Sequence, residues 1–310
     1  MIKFKHSLVM SSIVLTLFGC LRCTFAQQPV SIEQQVLKRL KEIKPNDSKQ
    51  HVYSIVAPSK PLELPTSLRL DLVYKIGHYR WGLVAFRFER KEGEPFVNVS
   101  QVFFQSALPF WKERVAITDS HGVRRGKLRL QEFDDLLSLA YALYKADIKS
   151  KYIGPANQLG GSIAGSSGDG DILAELIDTT STPRMIIKES GNLAAGDLVE
   201  RVVGGFDHVR LHLFWEVFHT YFRDHPLTEE IAGSNATKLL ISRLNDPPLS
   251  VDYRDYFRLS LYVHVLAELA EPEAIPTLTS IGENARLKDT WKEQLKEEIG
   301  VAITKIKARN

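Results

Sequence analysis

The spacing of hydrophobic and polar positions changes several times along this 310-residue chain. Residues 8–21 are predominantly apolar and show no polar-faced helical period. Val36, Leu37, Leu40 and Ile43 then recur at helical spacing, with Lys and Glu on the other face. Ser31 and Gln34 form a capping-box pattern, so a helix is predicted over 31–43, stopped by Pro45-Asn46-Asp47. Pro58, Pro61 and Pro65 predict an extended, loop-like stretch. From Leu68 the period falls to two: Leu68-Arg69-Leu70-Asp71-Leu72 alternates cleanly. Residues 79–90 and 96–104 are rich in aromatic and β-branched side chains and flank the polar turn Lys91-Glu92-Gly93-Glu94-Pro95, which predicts a long hairpin. Residues 114–118 and 127–130 read as two short strands around the turn Asp119-Ser120-His121-Gly122.

Helical spacing returns over 131–147, where Phe133, Leu136, Leu137, Leu139, Ala140 and Leu143 form a broad apolar face. A Gly/Ser-rich run over 154–171 reads as a long surface loop. A second hairpin is predicted from 171–178 and 184–188, then a helix over 207–223. The tail reads as four helices, over 228–244, 252–269, 272–281 and 288–306. The fold class expected is therefore α+β. An antiparallel sheet with covering helices occupies 52–225, preceded by a helix and linker over 27–51, and a small all-helical subdomain occupies 228–310.

Composition changes the picture mainly at the N-terminus. Lys3 and Lys5, the apolar run, and the small residues Thr24 and Ala26 before Gln27 are laid out as a secretory signal peptide over 1–26. The run is shorter than the ~20 apolar residues a membrane helix needs. Leu17-Phe18-Gly19-Cys20 resembles the bacterial lipobox, which implies a second reading: lipidation of Cys20 and a lipoprotein tethered to a membrane surface. The first reading is a secreted or periplasmic protein with no transmembrane span in the mature chain. Cleavage after Ala26 removes Lys3, Lys5 and Arg22, so 40 basic residues become 37 against 37 acidic ones. A neutral body argues against nucleic-acid binding, which needs a strong positive field. Cys20 and Cys23 both lie in the leader, so the mature chain has no disulfide, thiol nucleophile or Cys-ligated zinc. Asn46, Asn98 and Asn235 begin Asn-x-Ser/Thr sequons.

In the tail, Ala267-Glu268-Leu269-Ala270-Glu271-Pro272-Glu273-Ala274-Ile275-Pro276-Thr277-Leu278 resembles the inter-helix turn and second-helix start of a HEAT-type repeat. The resemblance covers one repeat, about 252–283. It implies a helical hairpin of the kind that family stacks for protein contacts.

Three candidate sites follow. His208, His212, Glu216 and His219 fall within roughly 80° on one helix, and imidazole and carboxylate are zinc-ligand types. The four span about 16 Å, so at most His212, Glu216 and His219 converge on one ion. No HExxH sequence occurs. Arg124, Arg125 and Lys127 sit in a basic segment read as a hairpin tip, where clustered donors suit an anion. Gly160-Gly161-Ser162-Ile163-Ala164 lacks the strand and helix that a nucleophile elbow requires. The expected function is that of an exported, non-enzymatic protein that binds a protein partner or surface component and needs no cofactor. The alternative is a metal-dependent hydrolase using zinc on the His/Glu stripe.

Overall fold

The computed structural model describes residues 38, 51–56, 62–76, 80–107, 119–145, 147–152, 170–180, 184–192, 207–246, 253–284, 287 and 289–310. The leader with Cys20, residues 114–118 and all but the last two residues of the Gly/Ser-rich run lie outside them.

Among the described residues, seven strands build one antiparallel sheet: β2 (Leu68–Ile76), β3 (Arg80–Arg90), β4 (Phe96–Ala107), β5 (Ser120–Arg129), β7 (Gly170–Asp178), β8 (Arg184–Asn192) and β9 (Glu229–Ile231). Their order is β8-β7-β2-β3-β4-β5-β9. A separate pair joins β1 (His51–Val56) to β6 (Asp147–Tyr152), which sequence periodicity did not predict. The α-helices among the described residues include α1 (Leu130–Lys145), α2 (Asp207–Asp224), α3 (Gly233–Leu244), α4 (Tyr253–Leu269), α5 (Ile275–Asn284) and α6 (Asp289–Arg309). This is an α+β fold, with most of its helices towards the C-terminus. Among the described residues, no helix is long and apolar enough to cross a membrane.

Strand alternation sends successive side chains to opposite faces, and both faces are covered. On the first face Leu68, Leu70 and Leu72 of β2, Phe86 and Phe88 of β3, and Ile172, Ala174 and Leu176 of β7 are buried under α1 and α2. Helix α2 contributes the apolar stripe its sequence predicts: Leu211, Phe214, Trp215, Phe218 and Phe222. Phe88 meets Phe218 at 4.9 Å and Phe133 of α1 at 5.5 Å, and Tyr74 stacks on Trp215 at 5.0 Å. Each such ring pair adds about 0.5–1.5 kcal/mol beyond its buried area.

On the second face Val73, Leu83, Ala85, Val102, Phe104, Val123 and Leu173 pack against helices α3 to α6. Residues on both sides of the expected boundary at 226–227 therefore share one core. Residue 228 does not start a helix, because Glu229–Ile231 pairs with β5 first. The expected turn at Asp119-Ser120-His121-Gly122 is likewise corrected: β5 runs unbroken from Ser120 to Arg129. Gly122 and Gly126 look like turn residues but serve close packing. A Cβ on Gly122 would lie 2.9 Å from the Phe103 ring, and one on Gly126 would lie 2.8 Å from Leu227.

Candidate functional site

Helix α2 carries the whole His/Glu stripe along its backbone, but the side chains of His208, His212 and Glu216 lie outside the described residues. His219 is exposed and stacks on Trp215 one turn earlier, at 5.8 Å. Among the described residues, no group of three or more His, Cys, Asp or Glu side chains is placed to hold a metal ion. Arg124, Arg125 and Lys127 lie along a strand rather than at a hairpin tip. Strand β9 brings acids to them: Arg125 pairs with Glu229, and Arg124 reaches Glu230 at 3.4 Å. An anion at this edge has to compete with both carboxylates. Asn98 stands mid-strand on β4, with its amide 3.4 Å from Glu94.

The second face holds a feature that local spacing hides. Strand register lines up Glu175 with Asp71, Asp71 with Arg87, Arg87 with Ser100, Ser100 with Arg125, and Arg125 with Glu229. One polar row thus crosses the sheet from β7 to β9, and Glu175, Asp71, Arg87 and Ser100 within it are buried. Arg87 grips Asp71 through both carboxylate oxygens, at 2.6 and 3.1 Å. Its remaining Nη1 lies 2.6 Å from Asp246, just past the end of α3. Arg69 lies 3.0 Å from Asp71. Arg243 of α3 donates to Ser100 Oγ and sits over the Tyr262 ring. Burial works against the Arg87 charge, but Asp71, Tyr262 and Asp246 outweigh it and hold the guanidinium well above its ordinary range. The row fastens α3 to the sheet. Its charges face one another, which suits anchorage better than chemistry.

A second polar group does reach solvent. Helices α4 and α6 run side by side, and between them opens a cleft of about 320 Å³. It is lined by His264 and Ala267 from α4 and by Gln294, Glu297, Glu298, Val301 and Ala302 from α6. The His264 ring stacks on Phe104 of β4 at 4.9 Å, so the sheet backs the cleft. Glu298 is fixed from below: the Tyr256 hydroxyl donates to its Oε1. Its Oε2 stands 3.7 Å from His264 Nε2, too far for a hydrogen bond. Glu298 Oε2 is buried, and the Ser260 hydroxyl lies beside both the Glu298 carboxyl and the Tyr256 phenol.

The electrostatics follow from burial. Burial lowers the His264 pKa to about 4; Glu268 raises it and Lys305 lowers it further. The imidazole is therefore neutral at pH 7. Burial pushes the Glu298 carboxyl up, the Tyr256 and Ser260 hydroxyls pull it down, and Glu297 pushes it up again. Burial and the bond to Glu298 raise the Tyr256 phenol well above its ordinary range. A neutral base facing a buried carboxyl at the wall of a cleft is the kind of environment that marks functional sites.

Local spacing gives neither His264 nor Glu298 a role, because their partners lie on other elements. The available signal is acidic Glu297-Glu298 one turn before the apolar Val301-Ala302. The segment with the HEAT-type resemblance forms the end of α4, Ala270 at φ 58°, a 3-10 turn over Pro272–Ala274 and the start of α5.

Comparison of the chain with protein-family models, curated proteins and solved structures finds no match.

Proposed function

We propose that this is an exported binding protein that engages a protein partner through its C-terminal helical layer, at the cleft between α4 and α6. The observation that carries the reading is Val301. It is 65% exposed and stands at the mouth of a cleft walled by Ala267 and Ala302. With Ala267 and Ala302 it gives the cleft an apolar wall beside a few polar groups, the composition usual for concave binding sites. The sheet and the other helices form a rigid support, and rigid elements hold such a surface more accurately than loops.

The test compares the purified mature chain with Val301→Asp, each immobilised and exposed to the exported proteins of its host. Val301 is exposed, so the substitution leaves the melting temperature unchanged. A protein retained by the wild type and released by Val301→Asp supports the reading. Identical retained sets for both chains contradict it. Export is tested separately by mass spectrometry of the mature N-terminus. A chain beginning at Gln27 supports a free exported protein, a lipidated Cys20 supports the tethered alternative, and a retained Met1 contradicts export.

A further inference from the structure

We infer that the α4–α6 cleft takes one basic side chain, Lys or Arg, of the partner protein, with its cationic head on Glu298 and its aliphatic stem along Ala267, Val301 and Ala302. The inference rests on the binding role proposed above and names the chemistry of the group bound.

Three observations on the cleft carry it. The first is the division of its lining: Ala267, Val301 and Ala302 are apolar, while Glu297, Glu298 and Gln294 present acceptors. A long basic side chain has the same division, an apolar stem and a charged head. The second is Glu298 itself. Tyr256 and Ser260 hold its carboxyl in place, and no Lys or Arg pairs with it among the described residues. A largely buried carboxylate with no cation beside it is costly, and an ammonium or guanidinium supplies the counter-charge it lacks. The third is that nearby cations hold other acids. Lys305 pairs with Glu268, and Lys296 lies 2.8 Å from Glu293.

Other ligand classes fit less well. An anion would meet Glu297 and Glu298. A metal ion would find His264 and Glu298 but no third His, Cys, Asp or Glu placed with them among the described residues. A neutral apolar group would seal the Glu298 carboxylate away from water with no counter-charge beside it. The volume, about 320 Å³, is at the lower end of the roughly 300–1,000 Å³ usual for ligand pockets, which suits a single side chain.

The test is a titration of the purified mature chain with n-butylguanidinium and n-butylammonium, followed by the NMR signal of the His264 ring. n-Butanol is the neutral control and Glu298→Gln the main variant. Gln keeps the shape of Glu and an oxygen for Tyr256 but removes the charge. The expected result is a saturable shift with either cation, none with n-butanol at the same concentration, and at least tenfold weaker binding by Glu298→Gln with an unchanged melting temperature. Glu297→Gln, at the exposed rim, weakens binding less. No saturable shift, or equal binding by Glu298→Gln, overturns the inference. A short arginine peptide binding tighter than n-butylguanidinium supports a partner's side chain as occupant; a peptide that binds no tighter overturns that assignment in favour of a free small cation. The two proposals fail separately. If the cations do not bind but Val301→Asp still releases a partner, the binding role stands and this chemistry falls. If the cations bind but no partner is released, the reverse holds.

Discussion

The two faces of the sheet solve the same packing problem by different means. The core of the first face is apolar: leucines and phenylalanines of β2 and β3 meet the aromatic stripe of α2, and stability there is mainly a matter of area and ring geometry, with the part-buried Arg90–Asp134 pair beside it. The second face interrupts its apolar contacts with a charged row, and helix α3 is fastened through Arg243 and Asp246. Apolar burial tolerates small shifts, because the hydrophobic effect has no direction. A buried ion pair does not, since leaving one partner alone is costly. The difference teaches that the second face is the one built for position, and it is this face that carries α4, α6 and their cleft.

The largest effects come from breaking each face by its own rule. Asp71→Ala leaves Arg87 buried without its main partner and lowers the unfolding free energy by about 3–5 kcal/mol in urea titrations. The double variant Asp71→Leu with Arg87→Met recovers part of that loss, because no unpaired guanidinium stays buried, but Arg69 and Asp246 still lose a partner. Phe88→Ala on the first face costs a similar ~3–5 kcal/mol by leaving a cavity. No charge substitution rescues it, so rescue separates the two faces. An Asp71→Ala variant as stable as the wild type would remove the distinction.

How much of this was legible in the sequence depends on the range of the interaction. Leu68, Leu70 and Leu72 announce a strand with one buried face, and Phe214, Trp215 and Phe218 announce the buried stripe of α2; both are local patterns. The same alternation assigns Arg69 and Asp71 to solvent, because polar residues between buried ones are normally outward. Helices α3 to α6 cover that outward face, and only tertiary pairing turns Asp71 and Arg87 into core residues. Strand β9 is three residues long, too short for any period to register, and its pairing with β5 depends on the return of a distant segment. The α4–α6 cleft was missed for the same reason: His264 and Glu298 meet only when two helices align.

A smaller effect sharpens the comparison at the cleft. His264 titrates at about 4 in the folded chain, below its ordinary 6.5. The unfolded chain therefore takes up the proton first, and stability is lost as the pH falls from 6.5 towards 4. Between pH 7.5 and 5, urea titrations should show the wild type losing on the order of 1 kcal/mol more than His264→Gln. Glu298, Glu268 and Lys305 face the ring and remain in both proteins, so their own titrations largely cancel. Equal losses in the two proteins would show that His264 is not held neutral by its surroundings. The smallest effect belongs to the exposed edge: Arg125→Ala removes an ion pair with Glu229 that stands in solvent, and the melting temperature stays where it was. A clear drop would mean that β9 is held by that pair rather than by its backbone ladder and by Ile231.

The most direct measurement is a crystal structure of the mature chain soaked with n-butylguanidinium. The account predicts the cation between α4 and α6, its guanidinium against the Glu298 carboxylate and its butyl chain against Val301 and Ala302. A cation bound elsewhere, or an empty cleft at saturating concentration, would contradict it.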